Sequence, residues 1–347
     1  MKDRRLIHVN RKMVKIQLQL FDVINTTEST GSGNELSHEM KTYYYRYLLE
    51  NVGPNLIHDQ FGQEKPIPKN GGKTIEFRKY TQLKKALTPL EEGVTPAGDK
   101  LDVSVVKATV KQYGNYIRLS DMLLLTAIDN NLVEALNLLG AQAAQTLDTV
   151  TREVINAGTN VQYAEGQVDS RAALTQEMKL TVRAIRLAVR TLKRKNARPI
   201  EGQEYAGIIH SDIAFDLMDD EAFIEWNKYT TPEKMWKNEI GKVAGVRLSE
   251  TTEAKIFPSA GAQIGEGPDK ADVYSTLIIG RDAYGITSVE GGGLETIVKQ
   301  LGSGGTADPL NQRATAGWKA VKTAEILQND FMVRIETGSS NNIHEAN

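Results

Sequence analysis

The longest continuous pattern in the chain is an apolar stripe. Leu132, Leu136, Leu139, Ala143, Leu147, Val150 and Val154 recur at spacings of three and four residues, which places them along one side of an α-helix. Asp129 can cap its start and Gly158 can end it. At 1.5 Å per residue a helix over 129–158 is roughly 40 Å long, unusually long for a compact domain. The same stripe also suits a core helix of any α/β fold, so by itself it defines a scaffold and no function.

A second helix is predicted from about Thr181 to Lys195, with Val182, Ile185, Val189 and Leu192 as its buried side. Arg183, Arg186, Arg190 and Lys193 repeat with the same spacing, one position along. This basic stripe reads as a solvated face with favourable charges near the helix C-terminus. The other reading is a contact with an acidic neighbour or with nucleic acid.

Between the N-terminus and the long helix the chain looks extended. Residues 25–38 ("NTTESTGSGNELSH") are small and polar, and read as a flexible arm. The tyrosine-rich "EMKTYYYRYLLENV" reads as a short amphipathic helix ended by Gly53-Pro54. The Asn70-Gly71-Gly72 turn then leads into a strand at Thr74–Tyr80, with a second strand at Leu101–Val110. The segment between them, "LKKALTPLEEGVTPAGDK", is too polar and too rich in proline and glycine to bury itself. A two-stranded excursion with a polar tip fits, and such ribbons are marginal alone in water, so it is expected to lie on a partner. The centre alternates: strand "YAGIIH" (205–210), helix "SDIAFDLMDDEAFIEW" capped by Ser211 or Asp212, then strands "VAGVRLSET" (243–251) and "VYSTLIIG" (273–280). "DFMVRIET" is a final strand, and the polar tail after Gly338 is expected to be loose.

The chemistry that would mark an enzyme is missing. The 347 residues include no cysteine, which removes thiol nucleophiles, thiolate metal sites and disulfides together. The five histidines, His8, His38, His58, His210 and His344, show no metal-binding spacing. His210 and Asp212 at a strand-to-helix junction read more simply as a strand end and a helix cap. The stretch "LGSGGTADPLNQ" (301–312) sets Gly302, Gly304 and Ala307 in the G-x-G-x-x-A spacing of a dinucleotide fingerprint. Asp308-Pro309 follows at once, and only about 40 residues remain, too few to complete such a domain. Its glycines read instead as a flexible connection. The net charge of −2 and 6% aromatic residues do not mark the whole chain as a nucleic-acid binder. No apolar run approaches the roughly 20 residues that span a bilayer. The basic start "MKDRRLIHVNRK" lacks an export signal, and if Met13 is the start, residues 1–12 are an upstream extension.

Several stretches, in order and with matching spacing, resemble the major capsid proteins of tailed phages. They are "FGQEKPIPKNGGKTIEFRKY", "LTPLEEGVTPAG", "VKQYGNYIRLSDML", "LGAQAAQTLDTVTREVINAGTNVQY", "VRTLKRKNARPI", "IGKVAGVRLSETTEAKIF" and "GGGLETIVKQLGSGGTADPLNQRATAGWKA". The resemblance is to the N4-type major capsid family within the HK-97-like group, and runs from about Met13 to Gly338. It implies an α+β, HK-97-like capsid fold. Residues 1–60 would be an N-terminal arm and 61–110 an extended β loop over a neighbouring subunit. Residues 111–175 would form a peripheral domain with a spine helix at 129–158, and 176–306 a mixed α/β axial domain. Residues 307–347 would return to the peripheral domain and end in the tail.

The function so implied is a major capsid protein that self-assembles into an icosahedral shell around double-stranded DNA, with no enzymatic activity, cofactor or metal. Its implied partners are copies of itself in pentamers and hexamers, a portal, separate scaffolding or decoration proteins, and DNA held without sequence specificity, with no membrane. The N-terminal region is too short for the scaffolding segment that some relatives carry. Its implied location is the virion capsid, assembled in the host bacterial cytoplasm. Lys84, Lys85, Glu91 and Glu92 of the extended loop are candidates for contact between subunits. Arg183, Arg186, Arg190 and Lys193 are candidates for contact with a subunit or with DNA. The alternatives are an encapsulin-like compartment and, more remotely, a nucleotide-binding enzyme using the 302–307 loop.

Overall fold

The computed structural model describes residues 57–80, 83, 85–87, 89, 92–93, 95, 98–126, 131–227, 239–265, 267–289, 292–305, 308–342 and 344–347. The expected arm before residue 57, the tyrosine-rich helix ended by Gly53-Pro54 and the Asp129 cap lie outside them.

Along the chain come β1 (Gln63–Glu64), β2 (Thr74–Tyr80), β3 (Val103–Thr109), β4 (Lys111–Ser120), α1 (Asp121–Thr126), α2 (Asn131–Asn156) and β5 (Val161–Tyr163). Then follow α3 (Val182–Arg194), β6 (Tyr205–His210), α4 (Ser211–Met218), α5 (Glu221–Asn227), β7 (Glu239–Val243), β8 (Val246–Thr251) and β9 (Ile256–Phe257). β10 (Val273–Ile279), β11 (Tyr284–Ser288), β12 (Glu295–Lys299), β13 (Arg313–Ile326) and β14 (Met332–Thr337) complete the order. Two compact units share these elements, and each is discontinuous in sequence.

The larger unit draws on Gly53–Tyr113, Ala143–Gly293 and Ala320–Asn347. Its main sheet has the order β5-β14-β10-β6-β8-β7, with β9 on β10. β6 and β8 run parallel, as do β14 and β5. β6 and β10 are buried at every position. That follows from their largely apolar runs, interrupted only by small or hydrogen-bonding groups, which need cover on both faces. One face packs on α3, through Ile185, Ala188, Val189 and Leu192, and on Ile213 and Leu217 of α4. The other face packs on Phe61, Ile155 and Tyr284. β11 pairs antiparallel with the second half of β13 and parallel with β1. The smaller unit includes Gly114–Gln142 and Leu294–Lys319. There β12 pairs antiparallel with the first half of β13, from Glu295↔Lys319 to Lys299↔Thr315. β4 pairs with β13 as well. A Cβ on Gly114 would sit 2.6 Å from the Trp318 carbonyl oxygen, so only glycine fits this close approach.

Some sequence expectations need correction. In α2 the buried line passes through Leu132, Leu136, Leu139, Ala143 and Leu147, then continues through Thr151 and Ile155. Val150 and Val154 are half-buried. Apolar periodicity missed the turn because polar side chains occupy its buried positions. The "VAGVRLSET" strand starts at Val246, because Ala244 (φ 52°) and Gly245 (φ 82°) form a two-residue hairpin turn from β7. The helix predicted across "SDIAFDLMDDEAFIEW" is two helices. The His210 ring, not Ser211 or Asp212, caps the first by accepting from the Asp212 amide at 3.1 Å. Asp220 caps the second, accepting from the Ala222 amide at 3.0 Å, so the Asp220 side chain holds the break.

Candidate assembly surfaces

Two antiparallel strands, β2 and β3, form the ribbon, in register from Thr74↔Thr109 to Tyr80↔Val103. They make a sheet of their own. Among the described residues, the ribbon is fastened near its base. Phe77 and Ala108 are buried, and the Phe77 ring lies against Gly285, where a Cβ would come within 2.9 Å of it. Farther out, Tyr80, Leu83, Leu87, Leu101, Val103 and Val105 are exposed, Leu87 by 82%. Lys85 and Glu92 are exposed beside them. Lys84 and Glu91 lie outside the described residues. An isolated ribbon edged with uncovered leucines is a surface built to be covered.

The basic stripe of α3 falls where its periodicity places it. Thr181 caps the helix, its Oγ1 accepting from the Ala184 amide at 3.2 Å. Arg183, Arg186, Arg190 and Lys193 are all exposed. The structure nevertheless divides them. Arg183 faces Glu165 at 3.6 Å. Arg186, Arg190 and Lys193 join Arg194, which the spacing left out, around a concavity of about 920 Å³ that Glu204 and Gly245 also line. The Glu204 carboxylate is already engaged by Arg247 and, at 3.1 Å, by Lys242. Burial opposes its ionisation, but these two cations outweigh that and hold it below the usual carboxylate range.

Sequence reasoning missed a buried polar staple. His58 and Asp148 are fully buried, and Asp148 accepts from the His58 amide at 2.9 Å and from the His58 Nδ1 at 2.6 Å. A carboxylate only accepts, so Nδ1 carries the proton. Nε2 has no partner among the described residues. Next door, Asp59 accepts from Thr151 Oγ1 at 2.6 Å and from the Lys322 ammonium, which also donates to the Leu147 carbonyl at 2.9 Å. The Tyr284 hydroxyl donates to the His58 carbonyl. The chain at residues 58–59 is thereby fixed to α2 and β13. The only sequence signal was a run of polar residues, Asp148, Thr151 and Arg152, inside an amphipathic helix.

The tail after Gly338 is pinned, not loose. Asp216 accepts from Ser339 Oγ at 2.8 Å, from the Ser340 amide at 2.9 Å, and from the Ser340 hydroxyl. Lys179 lies 3.0 Å away. Burial raises the Asp216 pKa, but these donors outweigh it and hold the carboxyl below its ordinary value. Asp272 accepts from the amides of Ser259 and His344, each at 2.7 Å. Buried acceptors that demand donors explain why so polar a tail is ordered.

No constellation for catalysis or metal binding appears among the described residues. His210 is buried, and burial pushes its imidazole toward the neutral form against the opposing charge of Asp212. Asp212 also accepts from the Tyr274 hydroxyl at 2.9 Å. The 301–312 loop joins β12 to β13, which are antiparallel, whereas a dinucleotide fingerprint needs a strand leading into a helix and a parallel crossover. Gly302 (φ 88°) and Gly305 (φ 53°) turn the loop, and Asp308 closes it by accepting from the Arg313 amide at 2.8 Å. No helix among the described residues is long and apolar enough to cross a membrane.

The described residues thus form a mixed α/β chain with a two-stranded ribbon and a long helix. Residues 104–265 match the family model described as phage capsid protein. Among solved structures the chain is similar to the capsid of Ralstonia phage GP4, at TM-score 0.66 and 14% identity over 81% of this chain and 88% of that one. It is similar to the cyanophage Pam1 capsid at TM-score 0.63 and 12% identity, covering 92% and 98%. The capsid of cyanophage P-SCSP1u gives TM-score 0.61 and 13% identity, covering 92% and 94%. No curated protein sequence matches. The fold is the HK-97-like fold of phage capsid subunits.

Proposed function

We propose that this chain is the major capsid protein of a tailed phage, of the N4-type, and that it self-assembles into an icosahedral shell around double-stranded DNA. The phage capsid domain on a capsid fold that spans nearly the whole chain carries this reading. The mechanism is geometric. Each copy offers a ribbon whose outer leucines are exposed among the described residues, and covering them on neighbours gains apolar burial at every contact. Repetition around a closed shell converts modest contacts into high overall stability. In this reading residues 61–110 are the extended loop, α2 is the spine of the peripheral domain, and the sheet built on β6 and β10 is the axial domain. A portal, a separate scaffolding or decoration protein, and assembly in the host bacterial cytoplasm complete the proposal. Phage capsids as family and neighbours favour a genome shell over an encapsulin-like compartment. Electron microscopy of the purified protein tests it: closed particles are expected, and only small oligomers would refute it. Nuclease-protected DNA inside particles from the native source is expected as well.

A further inference from the structure

We propose that the concavity lined by Arg186, Arg190, Lys193 and Arg194 is a phosphate-backbone contact for double-stranded DNA. The inference rests on the capsid reading and names the surface that meets the genome. These four side chains project from one helix face around a single concavity of about 920 Å³. None of them makes an ion pair within the described chain, whereas their neighbours Arg183 and Lys195 face Glu165 and Asp330 at 3.6 and 3.3 Å. The carboxylate lining the concavity, Glu204, is engaged by Arg247 and Lys242. Among the described residues the surface therefore keeps four positive charges without an ion pair, on a chain whose net charge is −2.

Helix electrostatics account for only part of this row. Lys193 and Arg194 lie in the last turn, where the helix dipole favours cations. Arg186 and Arg190 lie earlier, and like charges four residues apart repel, so an anionic ligand would relieve them. From Arg186 to Arg194 the row covers roughly 12 Å of helix axis. Duplex DNA presents one charge per about 1.7 Å of axis, so about seven phosphates lie alongside such a row. Four flexible cations can meet a polyanion of that density without fixed register, as sequence-independent contact requires. An acidic segment of another copy is the competing occupant. The Asp219-Asp220-Glu221 cluster is a poor source, because Asp220 is spent on the amides of Val182 and Ala222.

The test uses the full chain before assembly, titrated with a labelled random-sequence DNA duplex of about 30 base pairs between 50 and 200 mM salt. Each lost phosphate contact lowers the slope of log affinity against log salt by about 0.9. Replacing Arg186, Arg190, Lys193 and Arg194 together by Gln should reduce the slope by about 3–4. Across that salt range the wild type then loses roughly a hundredfold more affinity than the variant. Lysine at the three arginine positions should preserve the slope. An unchanged slope in the Gln variant overturns the proposal, as does an equal loss on neutralising the exposed Lys100 and Lys111 of the ribbon region. Loss of shell assembly with an unchanged DNA slope overturns it in favour of a contact with another copy. A wild type that forms no shells would refute the capsid reading, and the slope would still decide the phosphate site.

Discussion

Replacing Asp148 by Ala should uncouple residues 58–59 from α2. Asp148 and His58 are both fully buried, and Asp148 is the acceptor for two His58 donors, the amide and Nδ1. Alanine leaves both donors in a dry site. An unsatisfied buried group costs about 1–3 kcal/mol, and two donors are left unsatisfied here. A chain of this size should have a urea slope near the upper end of about 1–3 kcal/mol/M. The unfolding midpoint should therefore fall by about 1 M or more. Asparagine is the sharper probe. Its oxygen can still accept from the His58 amide, but its NH2 then meets Nδ1. The ring must move its proton to Nε2, which has no partner among the described residues. One stranded donor should cost about 1–3 kcal/mol, giving a midpoint between wild type and alanine. Urea unfolding followed by circular dichroism, on unassembled protein so that assembly adds no stability by mass action, measures all three. An alanine variant within about 0.2 M of wild type, or an asparagine variant as damaged as alanine, would refute the reasoning.

Two further outcomes follow from the surfaces and the tail. Changing Leu83 and Leu87 to Asp should leave subunit stability within about 0.5 kcal/mol, because both are exposed in the free chain, yet should abolish closed particles by electron microscopy. Asp216 should make the tail acid-labile. Its carboxyl is held below the ordinary 3.8, so its contribution is fully present above that pH and is lost as pH falls through the folded value. Hydrogen exchange at residues 339–342 should accelerate in acid, and Asp216→Asn should remove that pH dependence.

What could be read from sequence tracks how local the signal is. The buried side of α3 was legible in Val182, Ile185, Val189 and Leu192, because periodicity alone specifies it. The ribbon was legible because Asn70-Gly71-Gly72 and the polar tip frame two alternating strands. The Ala244-Gly245 turn was hidden inside an apolar run. The staple was illegible because His58, Asp148 and Lys322 are distant in sequence, and each reads alone as solvated. The tail failed for the same reason: Ser339 and Ser340 look loose until Asp216, more than a hundred residues earlier, is placed beside them. The basic row was legible from periodicity, but the pairing of Arg183 with Glu165 and the place of Arg194 beside the concavity come only from the tertiary structure.

The most direct test of the central claim is a cryo-EM reconstruction of the assembled protein. The account predicts a closed shell of pentamers and hexamers in which Leu83, Leu87 and Leu101 of each ribbon are covered by a neighbouring copy. Ribbons left in solvent within a shell, or particles no larger than small oligomers, would contradict it.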